Sequence, residues 1–226
     1  GRPSWEDVGA TFTSDVAAWE LYKLRLLNAA HSCMAYLCAV AGIVYVDEAM
    51  RLGEVRGFLE GLLATEAIPS LPPIPGQSRA DYAATALHRF ENTQIRDQIA
   101  RLCLDGTSKF PVFLIPTIEE QLAGGRSVRY AALALAGWAR YLGTVPESEQ
   151  AADPDAATAR TLAARALDDP SAFLQLERVF PPAVRDDDRF RTAFTSGYAA
   201  IAGDGPLAAM AAVVSGGDED RRESSP

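Results

Sequence analysis

Apolar residues recur at helical spacing along most of the chain, and prolines and glycines divide it into segments. Residues 14–41 contain neither proline nor glycine, begin with the capping residues Ser14 and Asp15, and stop before Gly42. This pattern predicts one long and largely buried helix. A second helix is predicted over residues 46–67, where apolar side chains recur every three or four positions.

Turn and loop signals separate the segments that follow. Four prolines within residues 69–75 predict an extended loop, and helical spacing resumes over residues 81–102. The Asp-Gly pair at Asp105 predicts a turn, whereas residues 127–143 are apolar enough to predict a helix in the core. We therefore expect a series of helices joined by irregular segments.

No segment combines sustained alternation of apolar and polar residues with enrichment in β-branched residues. The best strand candidate covers residues 112–115, which form a short apolar run between Pro111 and Pro116. The predicted fold class is therefore mainly α and multi-helical. The small and charged residues of the last segment, 215–226, predict a disordered tail.

The balance of charge narrows the range of partners. The chain has 226 residues with 21 Lys and Arg against 30 Asp and Glu, a formal net charge of −9. Such a surface repels nucleic-acid backbones and anionic membranes, so neither is an expected partner. No apolar run approaches the roughly 20 residues that span a bilayer, and the first residues lack the layout of a secretory signal. A cytoplasmic protein is expected.

The cysteines and histidines are too few and too scattered for a structural metal site. The three cysteines are Cys33, Cys38 and Cys103, and their odd number and their spacing favour reduced thiols. The two histidines are His31 and His88, and no close Cys or His pair has the spacing of a zinc site. The sequence predicts no metal bound by the protein.

Three polar residues, Lys23, Asn28 and His31, lie among leucines and alanines on one side of the first predicted helix. At about 100° per residue, Asn28 lies about 140° and His31 about 80° around the helix from Lys23. In one interpretation the lysine extends to solvent, the amide bonds to local backbone and the histidine is a satisfied core residue. In the other, an amine, an amide and an imidazole together move a proton at a carbinol carbon. The residue types alone leave both interpretations open.

The region around these residues resembles the C-terminal domain of the mannitol 2-dehydrogenase family, the polyol-specific long-chain dehydrogenases. The family signature is Lys, four residues, Asn, two residues and His, and Lys23, Asn28 and His31 match it without a gap. Further similarity extends over most of the chain outside the tail, including residues 5–17, 89–118 and 132–143.

The resemblance implies a metal-independent oxidation of a secondary alcohol by a nicotinamide cofactor. Lys23 would act as general acid and base, and burial among Leu24 and Leu27 would favour its neutral form. Asn28 would stabilise the alkoxide-like oxygen, and His31 would hold a neighbouring hydroxyl. The leading pair of substrates is D-mannitol and D-fructose, with fructuronate or tagaturonate reductase and arabinitol dehydrogenase as alternatives that share the triplet.

Two basic residues, Arg101 and Lys109, flank the Asp-Gly turn and match family positions that face the polyol, where such donors suit a run of hydroxyls. Surface charge is the competing interpretation of both. Leu104 stands where members acting on mannitol often carry a histidine, and Thr93 stands where the family has a proline. The triplet and these positions do not distinguish one polyol or sugar acid from another.

The cofactor of this family lies on an N-terminal Rossmann-type domain, whose glycine-rich fingerprint is absent from this sequence. The resemblance therefore implies the helical substrate-binding and catalytic half of a two-domain enzyme at residues 14–214, preceded by an interdomain segment at residues 1–13. The chain is either a piece of a longer protein, which its abrupt start favours, or a stand-alone domain. It is expected to be inactive alone, and NAD and NADP remain equal options. A helical interaction module without catalysis is the alternative from another class.

Overall fold

A computed structural model of the chain describes residues 2–223, with side chains described as far as residue 216. The described residues form helices and no β strand, apart from an isolated antiparallel bridge between Tyr45 and Gln98. The predicted mainly α fold class is confirmed. The α-helices are α1 (Val16–Tyr22), α2 (Ala29–Val40), α3 (Val46–Ala49), α4 (Gly53–Leu62), α5 (Arg79–Phe90), α6 (Ile99–Leu102), α7 (Gly106–Phe113), α8 (Ile115–Ala123), α9 (Arg129–Thr144), α10 (Ala156–Arg165), α11 (Pro182–Arg185), α12 (Asp188–Asp204) and α13 (Pro206–Glu223).

Shorter helical segments complete the described chain. Two are π-helical, with hydrogen bonds that span five residues, and the others are turns of 3-10 helix. The π-helical segments are Lys23–Asn28 and Leu63–Ala67, and the 3-10 turns are Trp5–Val8, Ile68–Ser70, Glu147–Glu149 and Pro170–Gln175.

The first predicted helix is confirmed with one addition. Asp15 caps its start by accepting a hydrogen bond from the Ala18 N–H at 3.2 Å, and the helical backbone then continues from α1 to α2. Its middle section, Lys23–Asn28, is π-helical instead of α-helical. The second predicted helix is interrupted, because Leu52 between α3 and α4 has an extended backbone with ψ 124°.

The strand candidate at residues 112–115 is wrong. These residues end α7 and begin α8, with a break at Leu114. Pro116 lies in the first turn of α8, where a helix needs no N–H donor, and Pro111 lies near the end of α7. The two prolines therefore mark the junction of two helices rather than the ends of a strand.

The last segment also differs from its prediction. We expected a disordered tail at residues 215–226, but α13 continues through Glu223, and residues 224–226 lie outside the described residues. Residues 207–223 contain no proline, so every backbone N–H in this stretch can take part in the helix.

Helix α9 lies at the centre of the core, as predicted for residues 127–143. It packs against α2 on one side and α12 on the other, and Trp138 is fully buried among aromatic rings. At Gly137 a Cβ would approach the Leu37 side chain to 2.6 Å, so glycine permits the close contact of α9 with α2. This contact fixes α2, which continues the helix that carries the predicted catalytic residues.

None of the helices among the described residues combines the length and the apolar character that a bilayer span requires. The same residues contain no group of three His, Cys, Asp or Glu side chains that could hold a metal ion. Cys33, Cys38 and Cys103 are buried and unpaired.

Candidate active site

The segment Lys23–Asn28, named here the first π-turn, carries two of the three motif residues. The Ala29 N–H donates to the Leu24 carbonyl five residues earlier, which is the hydrogen-bond pattern of a π-helix. Such a turn accommodates one residue more than an α-helical turn, so positions five apart lie nearly above one another. Lys23 and Asn28 are therefore closer to one line along the helix than the 140° expected for an α-helix.

The motif residues differ in exposure. Asn28 and His31 are half-buried, but Lys23 is exposed. The prediction that Leu24 and Leu27 bury the lysine is wrong for this chain, because both leucines are themselves only half-buried. The buried side chains of this turn, Arg25 and Leu26, lie on its other side, which faces the core.

The imidazole of His31 packs against an aromatic ring. Its ring centroid lies 3.8 Å from that of Phe90, with an angle of 21° between the planes. Burial lowers the pKa of His31 to about 4, although the nearby Asp97 carboxylate acts in the opposite direction. The imidazole is therefore neutral at neutral pH and offers one donor and one acceptor nitrogen.

A cavity of about 190 Å³ opens between α2, α6 and α7, and most of the predicted site residues line it. It brings Asn28 and His31 together with Arg101 and Lys109, residues that lie about 70 to 80 positions later in the chain. Lys23 does not line it. The lining residues are Asn28, His31, Ser32, Arg101, Leu102, Lys109 and Phe113.

A second cavity, of about 210 Å³, lies on the other side of His31 and Arg101, which line both. Its polar wall includes Arg89 and Asn92. A groove of about 390 Å³ between α4 and α5 contains none of the predicted residues, so its size alone does not connect it with the motif.

Arg101 and Lys109 have different partners within the site. The Arg101 guanidinium binds the Asp97 carboxylate in a bidentate pair, with Nε donating at 2.7 Å, and this pair lowers the pKa of Asp97. Lys109 Nζ is 3.4 Å from the Leu102 carbonyl oxygen. Burial lowers the pKa of Lys109 as well. Arg101 nevertheless stays exposed, with 61% of its side chain accessible, whereas Lys109 is half-buried.

The turn before α7 fixes the position of Lys109. Asp105 has a left-handed backbone with φ 58°, and a Cβ on the following Gly106 would lie 2.5 Å from the Tyr36 hydroxyl. Asp153 then caps α7 from a distant segment, since Oδ2 accepts the Thr107 N–H at 2.8 Å. The predicted turn is present, although α7 begins at Gly106 within it.

Sequence reasoning missed several residues of this site. Ser32 directly follows the motif histidine, and Asp97 lies four positions before Arg101, the spacing of a helical ion pair. Both residues could have been identified from the sequence. Phe113 and Asp153 were not, because only the folded chain brings them to the site.

Comparisons with known proteins were consistent with one another. A family model described as the mannitol dehydrogenase C-terminal domain matches residues 15–202. Mannitol dehydrogenase 2 of Saccharomyces cerevisiae is 38% identical over 214 residues, which cover 93% of this chain and 43% of the relative. Mannitol 2-dehydrogenase of Phaeosphaeria nodorum is 37% identical over 214 residues, which cover 93% of this chain and 38% of the relative.

Two solved structures share the fold. Mannitol 2-dehydrogenase of Pseudomonas fluorescens, solved as a ternary complex with NAD and D-mannitol, matches with a TM-score of 0.85 and 34% identity over 95% of this chain and 44% of that chain. A D-sorbitol dehydrogenase in substrate-free form matches with a TM-score of 0.80 and 28% identity over 93% of this chain and 44% of that chain. The chain spans less than half the length of these relatives. It belongs to the mannitol dehydrogenase family and contains the family's C-terminal domain.

Proposed function

We propose that this chain is the substrate-binding and catalytic domain of a metal-independent, NAD(P)-dependent polyol dehydrogenase that interconverts D-mannitol and D-fructose. The observation that carries the proposal is the cavity where Asn28, His31, Arg101 and Lys109 meet beside the first π-turn. Several donors around one small cavity suit a substrate that presents a row of hydroxyl groups. Similarity to a mannitol 2-dehydrogenase solved with NAD and D-mannitol supports this substrate class.

Lys23 is the proposed general acid and base. It takes the proton of the reacting hydroxyl during oxidation and returns a proton to the oxygen during reduction of the ketose. Its side chain is exposed in this chain, so a base at this position needs a cover that excludes water. An N-terminal Rossmann-type domain is the proposed cover, and desolvation of the amine then favours its neutral form.

Asn28 and His31 orient the reacting end of the substrate. The Asn28 amide donates an N–H to the oxygen as negative charge develops on it. His31 pairs with a neighbouring hydroxyl, and its neutral imidazole, held flat against Phe90, does so without bringing a charge into the cavity. The two residues lie about one helical turn apart, and His31 is on α2, which packs against α9.

Arg101 and Lys109 bind hydroxyls farther along the substrate chain. Asp97 holds the Arg101 guanidinium through two of its donor groups, which leaves the rest of the fork for a ligand. Lys109 contributes an ammonium group on a half-buried stem. A substrate with hydroxyls on consecutive carbons can reach both residues and the His31 ring, since all three line one cavity.

The proposed cofactor is NAD or NADP, which supplies the hydride acceptor when bound. The described residues do not fit this group by themselves, because they contain no strand-to-helix turn of the kind that binds a dinucleotide pyrophosphate. We assign cofactor binding to the part of the relatives that this chain does not span. The chain alone is then inactive.

Exposed apolar side chains near the N-terminus support the proposal that a second domain covers this chain. Trp5, Phe12 and Val16 are 52%, 52% and 66% exposed, and the Trp5 and Phe12 rings stack with centroids 6.3 Å apart. A cluster of large exposed apolar side chains is typical of an interaction surface. We assign residues 1–13 to the segment that joins this chain to the cofactor domain.

The proposal is tested by NAD-dependent and NADP-dependent oxidation of D-mannitol, measured for this chain alone and for the chain joined to the sequence that precedes it in its gene. Activity only in the longer protein is the expected result. A panel of polyols and uronates accompanies it, and a higher kcat/KM for a uronate or for arabinitol would replace D-mannitol as the substrate. No activity of the longer protein with any of them would favour a helical interaction module.

A further inference from the structure

A buried arginine lies inside the first π-turn. Arg25 is two residues after Lys23 and three before Asn28, yet it is only 6% exposed. It points away from the cavity, whose lining residues do not include it. A buried cation needs partners that compensate for its lost hydration. Its partners show what this residue does for the turn.

The Arg25 guanidinium joins three segments of the fold. Nη1 donates to the Ser70 carbonyl oxygen at 2.6 Å, and Nη2 donates to Glu120 Oε1 at 2.8 Å. Ser70 belongs to the 3-10 turn after the second π-helical segment, and Glu120 belongs to α8. The first π-turn is thus bound from behind to two elements that are distant in sequence.

The acceptor at Ser70 is itself held in place. Ser70 Oγ donates to the Ala67 carbonyl at 2.7 Å and lies 3.5 Å from Thr117 Oγ1. One residue before the π-turn, the Tyr22 hydroxyl donates to the Pro72 carbonyl at 3.0 Å. The side chains of Tyr22 and Arg25, about one helical turn apart, therefore both bind the loop at residues 70–72.

We propose that Arg25 is a positioning residue that holds the first π-turn in the geometry that aligns Lys23 with Asn28. A π-turn is rare and uses a poorer hydrogen-bond pattern than an α-helix, so contacts outside the helix must stabilise it. Arg25 supplies such contacts from within the turn, on the side opposite Lys23. This inference rests on the proposed function, in which both residues act on the same oxygen atom.

The planar fork of arginine is required for this role. It presents separate N–H groups to a backbone carbonyl and to a carboxylate in fixed directions. A lysine at the same position has one ammonium nitrogen on a flexible stem and is expected to satisfy one acceptor at a time. A methionine fills similar space and satisfies neither.

The test uses the longer protein that includes the cofactor domain, with the variants Arg25→Met and Arg25→Lys. Arg79→Met is the matched control, because Arg79 Nη1 also donates to this loop, at the Leu71 carbonyl at 2.8 Å, but lies outside the π-turn. We expect Arg25→Met to lower kcat for polyol oxidation about a hundredfold, since small displacements of catalytic groups have effects of this size. KM should change less than about threefold, and Arg25→Lys should recover part of kcat.

A second measurement does not depend on activity. Hydrogen exchange, followed by mass spectrometry, should show faster exchange of the amides of residues 23–29 in Arg25→Lys and not in Arg79→Met. Because this measurement uses Arg25→Lys, it still tests the proposal if Arg25→Met does not fold.

The outcomes separate this inference from the proposed function. An unchanged kcat in Arg25→Met, or an equal loss in Arg79→Met, would overturn the positioning role while the wild-type protein remained an active dehydrogenase. Unchanged exchange of residues 23–29 in Arg25→Lys would overturn it as well. An inactive wild-type protein, or a fully active Lys23→Met, would instead overturn the proposed function and with it any catalytic role for Arg25.

Discussion

Lys23 in the first π-helical segment and Glu66 in the second lie in opposite environments. The first π-turn leaves Lys23 exposed beside a cavity, whereas the second, Leu63–Ala67, buries Glu66 completely. Glu66 accepts hydrogen bonds from the backbone N–H groups of Tyr130 at 2.8 Å and Ala131 at 2.9 Å, so it caps the start of α9. One segment leaves a polar side chain at the surface, and the other presents one to the core.

This difference shows what a π-turn contributes and what it does not. Both segments have this wider turn, and each carries a polar side chain in a different environment. What such a side chain does depends on what it faces. Glu66 faces the unpaired N–H donors at the start of α9, whereas Lys23 faces an open surface next to Asn28. A π-turn in this chain therefore does not by itself mark a functional site.

The sharpest test of this contrast is Lys23→Met in the longer protein. We expect kcat for polyol oxidation to fall about 10³-fold, the usual contribution of a general acid–base group. Thermal stability should stay unchanged because the side chain is exposed. Steady-state kinetics and thermal unfolding measure the two quantities, with the exposed Arg165→Met on α10 as the control for loss of a surface cation. A comparable loss of activity in Arg165→Met would show that loss of any surface cation lowers activity, and it would contradict the specific role of Lys23.

Glu66→Gln should have the opposite profile. One oxygen of the carboxyl group becomes an NH₂ group that cannot accept the N–H it faces, so the free energy of unfolding should fall by about 1–3 kcal/mol. The KM of the folded enzyme should stay near the wild-type value. Urea unfolding measures the change, and Glu60→Gln on the exposed face of α4 is the control, with an expected change below about 0.5 kcal/mol.

The pH dependence of stability provides a second test of the environment of Glu66. Burial raises its pKa from the ordinary value of 4.5 to about 8, so the folded state binds more protons than the unfolded state between these values. The contribution of Glu66 to stability therefore decreases as the pH rises from 4.5 to 8. The Gln variant should lack this slope, and an identical slope in both proteins would show that the carboxylate is fully ionised in the fold.

A smaller effect is expected at the substrate end of the site. Asp97→Asn removes the carboxylate that binds Arg101 in two places, so the guanidinium becomes less well oriented. We expect KM for the polyol to rise about tenfold with little change in kcat, since the reacting atoms are not touched. Arg51→Met, which removes the exposed partner of Asp47, is the control for loss of an ion pair near the surface. A fall in kcat alone would place Asp97 nearer the reaction than proposed.

Part of this arrangement was accessible from the sequence. The first helix, the core helix over residues 127–143 and the absence of sustained strand patterns follow from local periodicity. The motif spacing then selected Lys23, Asn28 and His31. The π-turn was not accessible, since hydrophobic periodicity does not distinguish one extra residue in a turn. The exposure of Lys23 was missed for a related reason. Leucines that are close to a residue in sequence do not bury it when their side chains lie on another face of the helix.

The long-range partners were also beyond sequence reasoning. Arg25 stands in a run of leucines, and nothing local connects it with Ser70 or Glu120. Asp153 caps α7 from 46 residues away, and a capping residue is recognisable in sequence only when it directly precedes its helix. Contacts of this kind depend on the fold as a whole, and they are the ones that hold the predicted residues in place.

The smallest expected effect concerns His31 and the ring that shields it. The pKa of His31 is lowered to about 4 from its ordinary 6.5, so the unfolded state binds more protons between these values, and stability falls as the pH decreases from 6.5 to 4. Phe90→Leu admits water to the imidazole face and should raise this pKa toward its ordinary value, so the fall in stability still begins near pH 6.5 but ends at a higher pH and is smaller. An NMR titration of the His31 C2 proton measures the shift, with Phe113→Leu on the far side of the cavity as the control. If the pKa stays near 4 in Phe90→Leu, burial by the rest of the site and not the stacked ring keeps the imidazole neutral, and the site beside the first π-turn is more enclosed than the exposed Lys23 suggests.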